Sequence, residues 1–205
     1  MSEPRFNKIT LILGARGTGK TTYLIGDKKK GVIGLLEKVY TNRGMKILVI
    51  CTTDHPHYRH VSLLEKKDFV KFKKGIARII INPEDINNFC RFLTDSNNLW
   101  NTIIIWEEAK DHSETKICKE LGRMIRNTKQ QNVDMFFMYH SFGETPTDIY
   151  RKIDYISLFK TLDHWECRKT FMGSYISRID KAYKEVQASN NNYINKTVRT
   201  IDAIR

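Results

Sequence analysis

The sequence predicts an α/β fold in which helices cover both faces of a mainly parallel central sheet, giving a three-layer sandwich. Short, continuous apolar runs recur along the chain and are typical of strands buried on both faces. Segments with apolar residues at helical spacing separate them. The runs are Ile9–Leu13, Lys46–Cys51, Thr102–Trp106, Val133–Tyr139 and 155–160. At 205 residues we expect a single domain, 1–205, with its core over about 5–160 and a C-terminal extension over about 161–205.

A glycine-rich octet follows the first predicted strand and opens the first predicted helix. It reads GARGTGKT and matches G-x-x-x-x-G-K-[ST], the phosphate-binding P-loop, also called Walker A. We expect loop N–H groups to cradle the β-phosphate of ATP, Lys20 to reach the β- and γ-phosphates, and Thr21 to hold a hydrated Mg²⁺. The predicted nucleotide-binding residues are Gly14, Ala15, Arg16, Gly17, Thr18, Gly19, Lys20, Thr21 and Thr22. The fold class is therefore that of a P-loop NTPase.

Two acids stand at the end of the predicted strand Thr102–Trp106. Ligands collect at the carboxyl ends of strands in an open parallel sheet, so Glu107 and Glu108 are expected beside the P-loop. The pair resembles a Walker B motif. Glu107 is expected to contact the Mg²⁺ hydration shell, and Glu108 to orient and deprotonate the attacking water. Glutamate replaces the usual aspartate at the first position.

The chain is basic, with 35 Lys and Arg against 23 Asp and Glu and a net charge of +12. This charge favours a polyanionic partner without distinguishing DNA, RNA or an acidic surface. The lysines at 28–30 and 66–74 and the basic C-terminus are candidate contacts. The four cysteines form no C-x-x-C pair, which favours a reducing compartment. No apolar run is long enough for a transmembrane segment, and we expect a soluble intracellular protein.

Three histidines cluster in the segment TTDHPHYRH, which follows the strand Lys46–Cys51. His55, His57 and His60 stand beside Asp54 and Cys51, and these are residue types that bind metal. The proline and the close spacing favour instead a polar surface loop, which is a candidate contact to a phosphate backbone.

Several further elements are predicted from the pattern of residues. Residues 70–82 are interpreted as a hairpin or as a strand entering the sheet, and Pro83 as the first residue of a helix capped by Asn82. A helix is expected over 113–129, a strand near 168–172, and a helix near 177–188.

Together the P-loop, the stretch IIIWEEA and the segment 122–159 resemble an ATPase of the FtsK–HerA superfamily, over roughly residues 5–160. The layout is most similar to the genome-packaging ATPases of tailless icosahedral viruses, including those of turreted archaeal viruses. The resemblance implies a RecA-like strand order, with the strand Val133–Tyr139 between the P-loop and Walker B strands. His140 then falls at the position that contacts the γ-phosphate, where the family commonly has Gln. Arg123 and Arg126 match arginines that reach into a neighbouring subunit.

The resemblance implies an ATP-driven translocase of double-stranded DNA that acts without sequence specificity. It further implies a homo-oligomeric ring, a pentamer or hexamer, and a capsid or vertex protein as docking partner. The expected location is the cytoplasm of the infected host cell or the virion. Two other functions are consistent with the motifs: a small-molecule P-loop kinase, and a nucleotide-gated adaptor that binds ATP without turnover.

Overall fold

The computed structural model describes residues 7–27, 30–40, 44–96, 98–112, 116–128 and 131–200. In these ranges the strands are β1 (Ile9–Leu13), β2 (Gly26–Asp27), β3 (Val32–Ile33), β4 (Lys46–Cys51), β5 (Ser62–Leu63), β6 (Gly75–Ile80), β7 (Thr102–Trp106), β8 (Val133–Tyr139), β9 (Tyr155–Leu158) and β10 (Lys196–Arg199). The α-helices are α1 (Lys20–Ile25), α2 (Leu35–Val39), α3 (Ile86–Asp95), α4 (Ala109–His112), α5 (Lys119–Asn127), α6 (Thr147–Tyr150), α7 (Lys169–Met172) and α8 (Ile176–Ala188). Shorter 3-10 helices cover Pro56–Tyr58, Lys66–Lys71, Pro83–Asp85, Trp165–Arg168 and Gly173–Tyr175.

Eight of these strands form one sheet in the order β10-β9-β1-β8-β7-β4-β6-β5, and β2 and β3 form a separate small ribbon. Within the eight-stranded sheet the pairings are parallel, except that β10 runs antiparallel to β9. β8 lies between the P-loop strand β1 and the Walker B strand β7, as predicted. Leu13 is in register with Tyr139, and Trp106 with Phe137, so the segments that follow β1, β7 and β8 emerge at one edge of the sheet.

Two apolar clusters cover the opposite faces of the sheet, because neighbouring strand residues point to opposite sides. Leu11 and Trp106 belong to one cluster, which α3, α5 and α8 cover. Ile12 and Val49 belong to the other, together with Leu24 of α1. Full burial of a side chain of this size stabilises the fold by about 1.5–3 kcal/mol. The predicted three-layer α/β arrangement is confirmed.

One predicted strand is wrong, and for another segment the structure decides between two alternatives. Residues 70–82 form no hairpin, and Lys66–Lys71 is a 3-10 helix. The alternative, a strand entering the sheet, is confirmed as β6, which starts at Gly75 and pairs in parallel with β4. The segment 168–172 is not a strand but contains α7. β10 occupies the sheet edge beside β9 instead, and Met172 is buried in the core beneath that edge.

Two predicted helices begin later than the sequence pattern indicated. α5 begins at Lys119 with Cys118 as its N-cap, and residues 113–115 lie outside the described ranges. Pro83 opens a 3-10 turn, with Asn82 at its N-cap, and α3 follows only from Ile86. The helix predicted near 177–188 is confirmed as α8. Within the described residues, no helix combines the length and apolar character needed to cross a membrane.

Candidate active site

The loop between β1 and α1 is shaped by its own backbone contacts. The Gly14 N–H donates to the Tyr139 carbonyl at 3.2 Å, and the Ala15 N–H donates to the Lys160 carbonyl at 2.7 Å. The Thr18 hydroxyl closes the turn by donating to the Ala15 carbonyl at 2.8 Å. These three residues therefore fix the loop against the ends of β8 and β9.

Two positions of the loop require glycine because of their backbone conformation. Gly17 and Gly19 have φ values of +77° and +86°, in the left-handed region that side chains rarely adopt. A Cβ on Gly19 would also approach Cδ1 of Tyr193 to 2.9 Å. Backbone conformation thus explains the glycines at 17 and 19, and a close aromatic neighbour adds to the requirement at 19.

Lys20 is buried at the first position of α1. Its ammonium donates to the carbonyls of Gly14 at 2.5 Å and Ala15 at 3.0 Å, and to Nδ1 of His140 at 3.2 Å. Burial lowers the pKa of Lys20 to about 8, although the nearby Glu107 opposes this shift. The ammonium therefore lies inside the loop and is bound to three acceptors that an anionic ligand can replace.

Glu107 follows β7 directly and lies opposite the P-loop. The Tyr58 hydroxyl donates to its Oε2. Burial raises the pKa of Glu107 to about 7, while the bond from Tyr58 and the charge of Lys20 act in the opposite direction. Thr21 lines the same cavity as Glu107. Two hard oxygen donors facing one cavity suit Mg²⁺, so the predicted metal ligands fit that ion.

Glu108 has a backbone conformation uncommon for its residue type, with φ at +48°. Such a residue costs about 1–3 kcal/mol and is enriched at functional sites. Its carbonyl accepts from the Asp111 N–H at 2.9 Å, which starts α4 immediately after the strand. The turn leaves Glu108 beside both Arg16 and His140 in the cavity wall.

His140 follows β8 and is half-buried beside the P-loop lysine. Burial lowers its pKa, and the charges of Lys20 and Arg16 lower it further. An unprotonated Nδ1 accepts the hydrogen bond from Lys20, because an ammonium can only donate.

These side chains face one cavity of about 480 Å³. This volume lies within the range of small-molecule sites, about 300–1,000 Å³. Its lining residues are Arg16, Gly17, Gly19, Lys20, Thr21, Thr22, Lys30, His55, His57, Glu107, Glu108, His140 and Tyr193. The cavity therefore brings together Glu107, Glu108, His140 and six of the nine predicted P-loop residues, whereas Gly14, Ala15 and Thr18 do not line it.

An adjoining cavity of about 410 Å³ is more apolar and shares Gly19, Thr22 and Tyr193 with the first. Tyr23 and Phe159 form its inner wall, with ring centroids 5.5 Å apart in an edge-to-face contact. The exposed side chains of Val32 and Ile33, in the β2–β3 ribbon, form its rim. The charged cavity and this aromatic one are continuous at the start of α1.

Comparison of the structure with solved proteins gives matches over nearly the whole chain. The genome packaging NTPase B204 from Sulfolobus turreted icosahedral virus 2, solved with sulfate, has a TM-score of 0.72 at 14% identity, with 96% of this chain and 92% of that chain covered. The same NTPase with ATP-gammaS has a TM-score of 0.66 at 15% identity, covering 94% and 97%. B204, the DNA-packaging ATPase from Sulfolobus Turreted Icosahedral Virus, gives 0.65 at 13% identity, covering 97% and 100%.

The chain shares the fold of a viral genome-packaging NTPase. The resemblance inferred from the motifs is thus confirmed at the level of the fold. A scan of protein-family models gives no match, and a search of curated proteins by sequence gives none either.

The structure does not bring Arg123 and Arg126 to this cavity. Arg123 lies on α5 in ion pairs with Asp95 at 3.8 Å and Glu120 at 3.5 Å. Arg126 lines a different cavity together with Ile9 and Asp154, at the amino ends of β1 and β9. Both arginines are therefore remote from the P-loop of their own chain.

Sequence reasoning missed part of the cavity wall. The segment interpreted as a polar surface loop follows β4, and its His55 and His57 line the cavity while Tyr58 is fully buried. The rule that applied to Glu107 also applied here, because β4 is the parallel neighbour of β7. Among the described residues, no group of three His, Cys, Asp or Glu side chains is placed to hold a metal ion.

Tyr193 was also missed. It lies in the C-terminal extension, in a turn where its N–H donates to Asn191 Oδ1 at 2.8 Å. No sequence motif marks it, because its contact with Gly19 depends on the way the chain returns to the sheet.

Proposed function

We propose that the chain is an ATP phosphohydrolase that drives double-stranded DNA into a viral capsid. One observation carries this proposal: the P-loop lysine, two consecutive carboxylates and a histidine converge on one cavity. The shared fold supports the packaging role, because the similar NTPase was solved with ATP-gammaS and is described as a genome packaging protein.

In this proposal the P-loop and Lys20 bind the β- and γ-phosphates, and the base and ribose occupy the aromatic cavity beside Tyr193. Mg²⁺, held through Thr21 and Glu107, would supply charge neutralisation of the phosphates. Glu108 accepts a proton from water as the water oxygen bonds to the γ-phosphorus, and the bond to the β–γ bridging oxygen breaks to leave ADP. His140, adjacent to Lys20, reports the presence of the γ-phosphate.

The partners follow from charge and from the position of the arginines. A homo-oligomeric ring, a pentamer or hexamer, lets Arg123 or Arg126 of one subunit reach the next subunit's phosphates. Arg126 is the better candidate, because it makes no hydrogen bond or ion pair with the described residues, whereas Arg123 is paired. The exposed lysines Lys66, Lys67, Lys71, Lys73 and Lys74 are candidate contacts to the DNA backbone, and a capsid or vertex protein would dock the ring.

The test is Glu108→Gln, which keeps the shape of the side chain and removes its basicity. ATP hydrolysis, measured as phosphate release with and without duplex DNA, is expected to fall about 100-fold or more, since general bases contribute about 10²–10⁴-fold. Binding of a fluorescent ATP analogue is expected to remain. Glu185→Gln, which changes an exposed carboxylate paired with Lys196, is the matched control and should hydrolyse ATP normally.

The same assay separates the alternatives. Turnover by the wild-type chain excludes the adaptor, and turnover without a small acceptor excludes the kinase. Stimulation by duplex DNA that weakens steeply with salt supports phosphate contacts. Hydrolysis by Glu108→Gln at the wild-type rate would refute the assigned base.

A further inference from the structure

We propose that Tyr58 positions Glu107 for binding a divalent cation at the nucleotide's phosphates. This inference rests on the proposed function and adds a residue outside both Walker motifs. Tyr58 would touch neither nucleotide nor water, and it would act only through the carboxylate to which it donates.

The Tyr58 hydroxyl contacts the first carboxylate of the Walker B pair. It donates to Oε2 of Glu107, at the end of β7, and Thr21 of α1 lines the same cavity as that glutamate. The tyrosine is fully buried, so water does not compete for this bond. The hydroxyl therefore sets the position of one of the two side chains expected to hold the cation.

The backbone on both sides of Tyr58 is fixed locally. Pro56 starts the 3-10 turn, and the His55 side chain caps it by accepting from the His57 N–H at 3.3 Å. The Tyr58 N–H donates to the His55 carbonyl at 3.0 Å, and the Tyr58 carbonyl accepts from Val61 at 2.8 Å. The tyrosine lies in a hydrogen-bonded turn, which limits its movement.

A buried arginine from β6 anchors the same segment from behind. Arg78 pairs with Asp54 at 2.5 Å, and its Nε donates to the Val61 carbonyl at 3.1 Å. These contacts bracket Tyr58 in sequence, and its side chain belongs to the apolar cluster on that face of the sheet. The hydroxyl is thus held by the sheet and does not need a ligand to place it.

This arrangement has a direct consequence for metal binding. With Oε2 held by Tyr58, the rotamer of Glu107 is fixed and Oε1 remains available to the cation or its water shell. Partners that orient metal ligands in this way typically contribute about 10–100-fold to metal affinity.

The test is Tyr58→Phe, which removes the hydroxyl and keeps the buried ring. Binding of a fluorescent ATP analogue is followed while MgCl₂ is titrated, and the Mg²⁺ midpoint is expected to rise about 10-fold. Affinity for the analogue in EDTA is expected to stay unchanged. Tyr40→Phe is the matched control, because Tyr40 is also buried and donates to a carboxylate, Asp134 Oδ2 at 2.8 Å, outside the cavity lining.

A double-mutant comparison separates positioning from a general structural role. In a Glu107→Gln background, Tyr58→Phe should leave the Mg²⁺ midpoint unchanged, because the carboxylate that the hydroxyl orients is gone. An equal shift in both backgrounds overturns the proposal. The proposal is also overturned if the Mg²⁺ midpoint of Tyr58→Phe is unchanged while its melting temperature falls below that of Tyr40→Phe. A lowered Mg²⁺ midpoint overturns it too, because the hydroxyl would then compete with the cation. If the wild-type chain binds no nucleotide at all, the proposed function itself fails.

Discussion

Two buried lysines lie at opposite ends of the central sheet. Lys20 follows β1 at the carboxyl end, and Lys46 opens β4 at the amino end. Both are less than a tenth exposed, and burial lowers the pKa of each to about 8. By burial and pKa alone the two residues would be equally good candidates for a functional site.

Their surroundings differ. Lys46 donates to the carbonyl and side-chain oxygen of Asn98 and lies 5.6 Å from the centre of the Phe69 ring. It lines neither the charged cavity nor the aromatic one. Lys20 lines the charged cavity, together with Glu107 and Glu108. A perturbed lysine therefore marks a candidate site only where open space and opposite charge accompany it.

The largest expected effect is a difference in ATP hydrolysis between variants of the two lysines. Lys20→Met should abolish measurable ATP hydrolysis, since it removes the charge that faces the phosphates. Lys46→Met should hydrolyse ATP at the wild-type rate. It should lower the free energy of unfolding by about 1–3 kcal/mol, because the oxygens of Asn98 lose their buried donor.

Phosphate release and urea unfolding of both variants provide the measurement. The comparison would break down if Lys46→Met lost activity while remaining folded, because the amino end of the sheet would then contribute to the chemistry.

A smaller effect tests whether Arg126, at the amino end of one subunit's sheet, acts at the nucleotide site of the next subunit, which lies at the carboxyl end of that subunit's sheet. Arg126→Ala should reduce hydrolysis at least 100-fold in the assembled protein, since an arginine supplied in trans is worth about 10³–10⁵-fold in related chemistry. Arg123→Ala, the control on the same helix, should reduce it less, because Arg123 is already paired with Asp95 and Glu120.

Mixing two inactive variants sharpens this test. Glu108→Gln and Arg126→Ala subunits, combined in one ring, should regain part of the activity. An interface joins an intact Glu108 to an intact Arg126 where the Arg126→Ala subunit supplies the nucleotide site and its Glu108→Gln neighbour supplies the arginine. Failure of the mixture, with ring assembly verified by mass measurement, would argue against a trans-acting Arg126.

The sequence was sufficient for the parts of the site that local chemistry determines. Gly17 and Gly19 are required by positive φ, and β4 and β7 are continuous apolar runs buried on both faces. Glu107 and Glu108 followed from the rule for parallel strands. Each of these features can be inferred from a few consecutive residues.

The missed features depend on distant contacts. Tyr58 was hidden among polar residues, and its role depends on the pairing of β4 with β7. The segment 168–172 was assigned as a strand because nothing local showed that β10 would take the sheet edge beside β9. Such choices depend on how the whole chain packs.

The smallest expected effect concerns how stability depends on pH. The pKa of Lys46 is about 8 in the folded chain and near its ordinary value of 10.5 when unfolded. Between these values the unfolded chain binds more protons, so the free energy of unfolding rises with pH. Lys20 contributes in the same direction, since its pKa is lowered to a similar value.

In Lys46→Met the free energy of unfolding should therefore rise less with pH than in the wild type, because only the contribution of Lys20 remains. Urea unfolding at pH 7.5 and at pH 10 measures it, and the difference between wild type and variant should be at most about 3 kcal/mol, since one pKa unit corresponds to about 1.4 kcal/mol. Other groups titrate alike in both proteins and cancel in this difference. An equal rise in both proteins would mean that Lys46 keeps its proton on folding, and the resemblance between the two buried lysines would then be limited to their burial.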